Sequence, residues 1–151
     1  MAVKAIPEGY HSVTPSLSVQ GAAKLIDFLK EGFGAQEAFR MPAPNGEIMH
    51  AEVRIGDSIV MLNDLMGQSP TTSSLFLYVT DVDHVYQRAL KAGGTSLSAP
   101  ANMFWGDRMA QVKDSFGNQW SIATRKEDLT PQEMQQRQDE FFKQLAGAPK
   151  G

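Results

Sequence analysis

The chain has 151 residues, a net charge of -3 from 14 basic and 17 acidic side chains, and no cysteine. That length suits a single domain, 1–151, with a core of its own, and the lack of any basic block argues against nucleic acid or an anionic membrane as partner. Disulfides, thiolate metal sites and cysteine nucleophiles are excluded, and with no signal-like run in residues 1–10 and no bilayer-length apolar stretch, a cytoplasmic protein is expected.

Residues 1–10 read as an extended arm with a turn at Pro7-Glu8-Gly9. From 11 to 19 the sequence alternates: Val13, Pro15, Leu17 and Val19 are predicted to point one way, and Thr14, Ser16 and Ser18 the other. A helix over 21–31 follows, closed by the glycines of Gly32-Phe33-Gly34. Strands are predicted at 35–41, 47–55 and 58–62, with turns at Pro42 to Gly46 and at Gly56-Asp57. The polar stretch 66–72 is a linker. A strand over 74–79 comes next, with Leu75, Leu77 and Val79 on one face and Ser74, Phe76 and Tyr78 on the other. Asp81 is positioned to cap a second helix that stops at Gly93-Gly94, and short strands follow near 96–98, 107–113 and 119–124. Thr130-Pro131-Gln132-Glu133 combines a capping box with proline at the first helical position, so it starts a helix over 130–145. Met134, Gln138, Phe141, Phe142 and Leu145 share one face of that helix, a stripe suited to docking on the domain or on a second subunit.

The two halves match at a fixed offset. The stretch WGDRMAQVKDSFGNQWSI (105–122) answers NGEIMHAEVRIGDSIVML (45–62), and Leu17-Ser18-Val19 answers Leu77-Tyr78-Val79. The helical stripe Ala22, Leu25, Ile26, Leu29 falls on Val82, Val85, Tyr86, Ala89, and Gly34 on Gly94. The chain therefore reads as two β-α-β-β-β modules, 11–65 and 73–125. The repeat pairs His50 with Ala110 and Glu52 with Val112, whereas the apolar pattern alone turns Ala110 and Val112 inward; a bulge would reconcile the two.

Two such modules, with the turn Asp114-Ser115-Phe116-Gly117-Asn118 before the last strand, resemble the vicinal oxygen chelate superfamily of glyoxalase I, extradiol dioxygenases, fosfomycin resistance enzymes and bleomycin-binding proteins. The stretches HAEVRIGDSIVMLND and WGDRMAQVKDSFGNQWSIATR, and the helix after Thr130-Pro131, are similar to its PhnB-like branch. The resemblance spans roughly residues 10 to 125 and departs at Ser115, where the family's turn usually carries proline. It implies an α+β fold in which two tandem modules curl a mixed sheet into a trough, with helices outside and a small ligand on the concave side. In metal-dependent relatives four side chains from the first and last strands of each module hold one divalent cation. Carried over position by position, these fall on Thr14, Ser74, Ser121 and Val60, or Met61 if the one-residue insertion counts. None is His, Asp or Glu, and hydroxyls are poor ligands for a divalent transition metal. No metal and no cofactor is expected, which argues against a glyoxalase I or dioxygenase mechanism.

Other candidates follow from strand parity. In the 47–55 strand Met49, Ala51, Val53 and Ile55 are predicted to face the helix, leaving Ile48, His50, Glu52 and Arg54 toward the trough. His50 beside Glu52 suits acid–base work or ligand orientation, set against a structural histidine bonded to its neighbours. Trp105 and Arg108 suit a planar or anionic ligand, set against an Arg–Asp surface pair beside a core tryptophan. Phe76 and Tyr78 share the face of Ser74 and line the cavity if that face is open, while Trp120 reads as core. His11 and His84 read as exposed or locally bonded. The expectation is a homodimeric, metal-independent protein that binds a small organic ligand through Thr14, Ser74, Phe76, Tyr78, Trp105, Arg108 and Ser121. The alternatives are an acid–base lyase or isomerase using His50 and Glu52, and a glyoxalase-like metalloenzyme with relocated ligands.

Overall fold

Strand alternation and amphipathic helices fold the chain into two four-stranded sheets, each backed by a helix, in a computed structural model that describes residues 3–147. In chain order the first half comprises β1 (Ser16–Val19), α1 (Ala22–Phe33), β2 (Gln36–Pro42), β3 (Ile48–Ile55) and β4 (Ser58–Asp64). The second comprises β5 (Ser74–Tyr78), α2 (Val82–Lys91), β6 (Thr95–Asn102), β7 (Asp107–Lys113) and β8 (Gln119–Arg125), and α3 (Pro131–Ala146) follows. Strand order is β1-β4-β3-β2 in one sheet and β5-β8-β7-β6 in the other. Both are mixed, with β1 parallel to β4 and β5 parallel to β8, and neither closes on itself.

Ala22, Leu25, Ile26 and Leu29 of α1 are fully buried against the faces of β3 and β4 that carry Ala51, Val53, Val60 and Leu62. Each large side chain so buried contributes roughly 1.5–3 kcal/mol of transfer free energy. Val82, Tyr86 and Ala89 of α2 do the same over Ala110, Val112 and Ile122. The helices also pack on each other at Gly32, where a Cβ would meet the Ala89 Cα at 3.4 Å, and one continuous core runs through both halves. Phe33 joins them again, its ring centroid 4.8 Å from that of Trp120.

Caps and turns are satisfied by specific side chains. Gly21 opens α1 with φ 105° and has no side chain to offer, so Asp64 of β4 accepts from the Gly21 and Ala22 backbone N–H groups at 2.8 and 2.9 Å. The same carboxylate accepts from the Ile48 N–H at 2.7 Å, tying β3 to the cap. Sixty residues on, the Thr124 hydroxyl accepts from the Val82 N–H and donates to the Val79 carbonyl, both at 2.9 Å. Asp114 is buried and organises the Asp114-to-Asn118 turn, accepting from the Phe116 and Asn118 N–H groups, the Asn118 amide and the Trp120 indole.

The structure corrects the strand reading in three places. β1 begins only at Ser16: Pro15 has no N–H for the ladder, and Val13, expected beside Leu17, is 86% exposed. At the start of β3 a register shift opposite Met41 and Pro42 reverses parity, so Ile48 is buried and Met49 is 56% exposed. Ala110 and Val112 do face the core, but no bulge in β7 is involved. Instead Gln111 pairs with Ser121 where Glu52 pairs with Met61, because the β7–β8 turn is one residue longer than the β3–β4 turn. The rows Ser16–Met61–Glu52–Phe39 and Phe76–Ser121–Gln111–Ser98 are therefore equivalent.

Helix α3 starts as its sequence dictates, with the Thr130 hydroxyl accepting from the Glu133 N–H at 3.2 Å. It leans on the second module through Phe141 against Phe104, centroids 5.1 Å apart, and through a two-bond Arg137–Glu127 pair. No residue of α3 is buried, and Phe142 and Leu145 are each 55% exposed. Among the described residues no helix is long and apolar enough to cross a membrane.

Candidate functional site

The irregular backbone of 10–15 leaves a gap between the start of β4 and the edge strand β5, and a cavity of about 290 Å³ occupies it. Tyr10, Val13 and Thr14 form its outer wall; Ile59 and Val60 form the floor on the first sheet. Leu75, Phe76, Leu77 and the Trp120 indole close it from the second. Among the described residues no carboxylate lines it, and its titratable groups are Tyr10 and the exposed His11. The volume lies at the small end of ligand pockets, which run from roughly 300 Å³ upward. Its walls suit a compact apolar or aromatic molecule.

His50 and Glu52 stand side by side on β3, Nε2 to Oε1 at 3.3 Å, with Phe39 6.2 Å from the imidazole between ring centroids. They lie outside the lining of the cavity, behind Tyr10. The Tyr10 hydroxyl is buried near Glu52 and has no hydrogen-bond partner among the described residues, yet the two groups shift each other's titration. Burial first and the Glu52 carboxylate second push Tyr10 up to about 12. The phenol holds the Glu52 carboxyl below its ordinary value against the opposing effect of burial, with His50 adding to the same direction. Tyr10 is the residue that sequence reasoning missed. It is an aromatic in an otherwise small and polar arm, but nothing local ties it to a strand far along the chain.

The remaining candidates are dispersed. Thr14 and Phe76 meet in the cavity, while Ser74 is exposed at the start of β5. Ser121 is buried on β8, its hydroxyl accepting from the Gln111 amide at 3.0 Å; Gln111 is a second residue missed, hidden by the one-residue slip in the repeat. Tyr78 and Trp105 converge on the buried Asp107, whose Oδ2 accepts from the phenol at 3.2 Å and the indole at 3.1 Å. Burial and that carboxylate raise the Tyr78 pKa. Arg108 turns away from both troughs to grip Asp83 in the first turn of α2 with two bonds, at 2.7 and 2.9 Å, and Asn102 at 3.3 Å.

The four positions at which relatives hold a cation do not fit one. The ladder settles the alternative in the first module: Met61, not the core residue Val60, is equivalent to Ser121. Two exposed or half-buried hydroxyls, a thioether and a serine already engaged by Gln111 are a weak donor set for a divalent metal. Among the described residues no three His, Asp or Glu side chains converge elsewhere.

The paired modules, their strand order and the inter-sheet cavity define a protein of the glyoxalase-type fold. The chain matches the Glyoxalase/Bleomycin resistance protein/Dioxygenase superfamily over residues 10–122 and belongs to it. It is similar to the uncharacterized protein Rv0887c of Mycobacterium tuberculosis, 40% identical over 136 residues that cover 82% of this chain and 80% of that protein. Among solved structures it is similar to TioX from Micromonospora sp. ML1, with a TM-score of 0.63, 25% identity and coverage of 76% of this chain and 99% of that one. The PhnB protein from Bacillus cereus, described as a putative 3-demethylubiquinone-9 3-methyltransferase, superposes with a TM-score of 0.62 at 16% identity, covering 76% of this chain and 99% of that one.

Proposed function

We propose that this protein binds a small, largely apolar organic molecule in the cavity between the 10–15 arm and β5, without the superfamily metal. The observation that carries the reading is the cavity itself: aromatic and aliphatic walls from both modules, with no acid–base pair in its lining. Apolar burial drives binding there, and the few polar groups set orientation. The motif stretches and the Bacillus fold likeness support a place in the PhnB-like branch. A homodimer in the cytoplasm completes the proposal; the exposed apolar stripe of α3 supports the dimer.

The test is a titration with N-phenyl-1-naphthylamine, a neutral fluorescent probe, in buffer containing EDTA. Saturable enhancement is expected, lost in a folded Leu75→Trp variant that fills the cavity and retained in His50→Ala. Enhancement that requires added nickel or zinc, or that survives Leu75→Trp, counts against the reading.

A second reading is favoured by one observation, the 3.3 Å approach of His50 to Glu52. A carboxylate beside an imidazole is an acid–base pair in form, and on a larger substrate reaching past Tyr10 it supports proton transfer of the lyase or isomerase kind. Turnover abolished by both His50→Ala and Glu52→Gln, with probe binding intact, would favour it over simple binding.

A further inference from the structure

Asp107 opens β7 and is 6% exposed, yet among the described residues no ion pair reaches it. Its Oδ2 accepts from two neutral donors, the Tyr78 phenol at 3.2 Å and the Trp105 indole at 3.1 Å. These satisfy lone pairs without cancelling the charge. The arginines around it are committed elsewhere: Arg108 to Asp83, Arg137 to Glu127, and Arg125, its ladder partner on β8, to Asp128. A carboxylate withdrawn from water without a counter-ion is costly, and a cation brought beside it lowers that cost.

The carboxylate also stands at a cleft of about 480 Å³, where β5 and β8 end, β7 begins and α3 starts. Tyr78, Trp105 and Met134 line it, with Arg125 and Glu127 already paired at its margin. The two bonds to Oδ2 pin both aromatic side chains by their polar ends and keep the rings beside the charge. Aromatic faces attract a cation within about 6 Å, and a thioether is polarisable. The pattern is the reverse of the anionic site that Trp105 and Arg108 suggest in sequence, because Arg108 is held by Asp83 and a carboxylate stands beside the indole.

We propose that this cleft binds a small organic ammonium ion, with Asp107 as counter-charge and Tyr78, Trp105 and Met134 as apolar contacts. A quaternary ammonium suits it best: it presents methyl groups to the rings and the thioether and asks for no hydrogen-bond acceptor, whereas Oδ2 is taken twice. A bare metal ion is less well served, since among the described residues no three His, Asp or Glu side chains converge. The cleft shares no lining residue with the cavity between the modules, and the proposal stands apart from the reading of that cavity.

The test follows the indole N–H signals of the full-length, nitrogen-15-labelled protein by NMR. The chain has two tryptophans, and Trp105→Phe identifies the Trp105 signal by its loss. Choline chloride is added in place of sodium chloride at constant ionic strength. Saturable movement of the Trp105 signal is expected in the millimolar range, with the Trp120 signal, bonded to Asp114, unmoved. The uncharged carbon analogue of choline, 3,3-dimethyl-1-butanol, should leave the Trp105 signal in place. In Asp107→Asn, which keeps an acceptor for both donors, choline affinity should fall at least about tenfold. A Trp105 signal that choline does not move, that the alcohol moves equally, or that responds to choline unchanged in Asp107→Asn overturns the proposal. The first two results come from the wild type alone and do not depend on a variant folding.

Discussion

Asp64 shows how much of this fold hangs on single carboxylates. Burial alone would raise its pKa, but the N–H groups of Ala22, Ile48 and Gly21 together outweigh that and leave it below the ordinary aspartate value. A group whose folded pKa is depressed contributes stability above its unfolded value, about 3.9, and loses that contribution as the pH falls through the folded one. Asp64→Asn should therefore destabilise the protein at pH 7, on the order of 2 kcal/mol, since one buried acceptor loses its charge and an amide donor is placed against backbone donors. The difference between variant and wild type should shrink in urea denaturation below about pH 4. A difference independent of pH would contradict the assignment of the three bonds to the ionised carboxylate. Neither the role of Asp64 nor that of Tyr10 was legible in the sequence, because each acts on residues far along the chain. Asp81 and Thr130 were legible, because a cap acts three residues away. Trp120 was rightly read as core, but its indole bond to Asp114 and its edge on the cavity were not visible.

At the scale of elements, the helices and most strands followed from periodicity, because α1 and α2 bury one stripe each and β3 alternates from Ala51 to Ile55. The failures cluster where a strand is not uniform. Pro15 cut β1 short, a register shift reversed the first residues of β3, and β6, expected near 96–98, extends to Thr95–Asn102 with two irregularities in its pairing. The extra residue in the β7–β8 turn moved Gln111, not Ala110 or Val112, onto the trough face. A fixed offset cannot report such a slip, since one residue exchanges the faces of a whole strand. Helix α3 had clear boundaries but no clear destination. Phe141 is spent on Phe104, while Phe142 and Leu145 remain exposed. If a second copy covers them, sedimentation should give a dimer for the wild type and a monomer for Phe142→Glu, with the thermal midpoint of the monomeric variant little changed by its half-exposed position. A wild-type monomer would contradict the dimer.

For the whole molecule, duplication explains the architecture and divergence between the copies explains the site. The copies retain equivalent rows across their sheets, but the chemistry differs: Glu52 against Gln111, Met61 against Ser121, Ser16 against Phe76. The first module carries the His50–Glu52 pair, and aliphatic and aromatic residues of both modules wall the cavity. The family positions at Thr14, Ser74, Met61 and Ser121 are left without good cation donors, and the cavity lies between edges of the two sheets. The most direct test is chemical-shift mapping of isotope-labelled protein with 2-naphthol in EDTA-containing buffer. Saturable shifts are expected at residues 10–15, Ile59, Val60, Leu75 to Leu77 and the Trp120 indole, unaltered by added zinc. Shifts centred instead on Ser74 and Ser121 that appear only with a divalent metal would contradict that expectation.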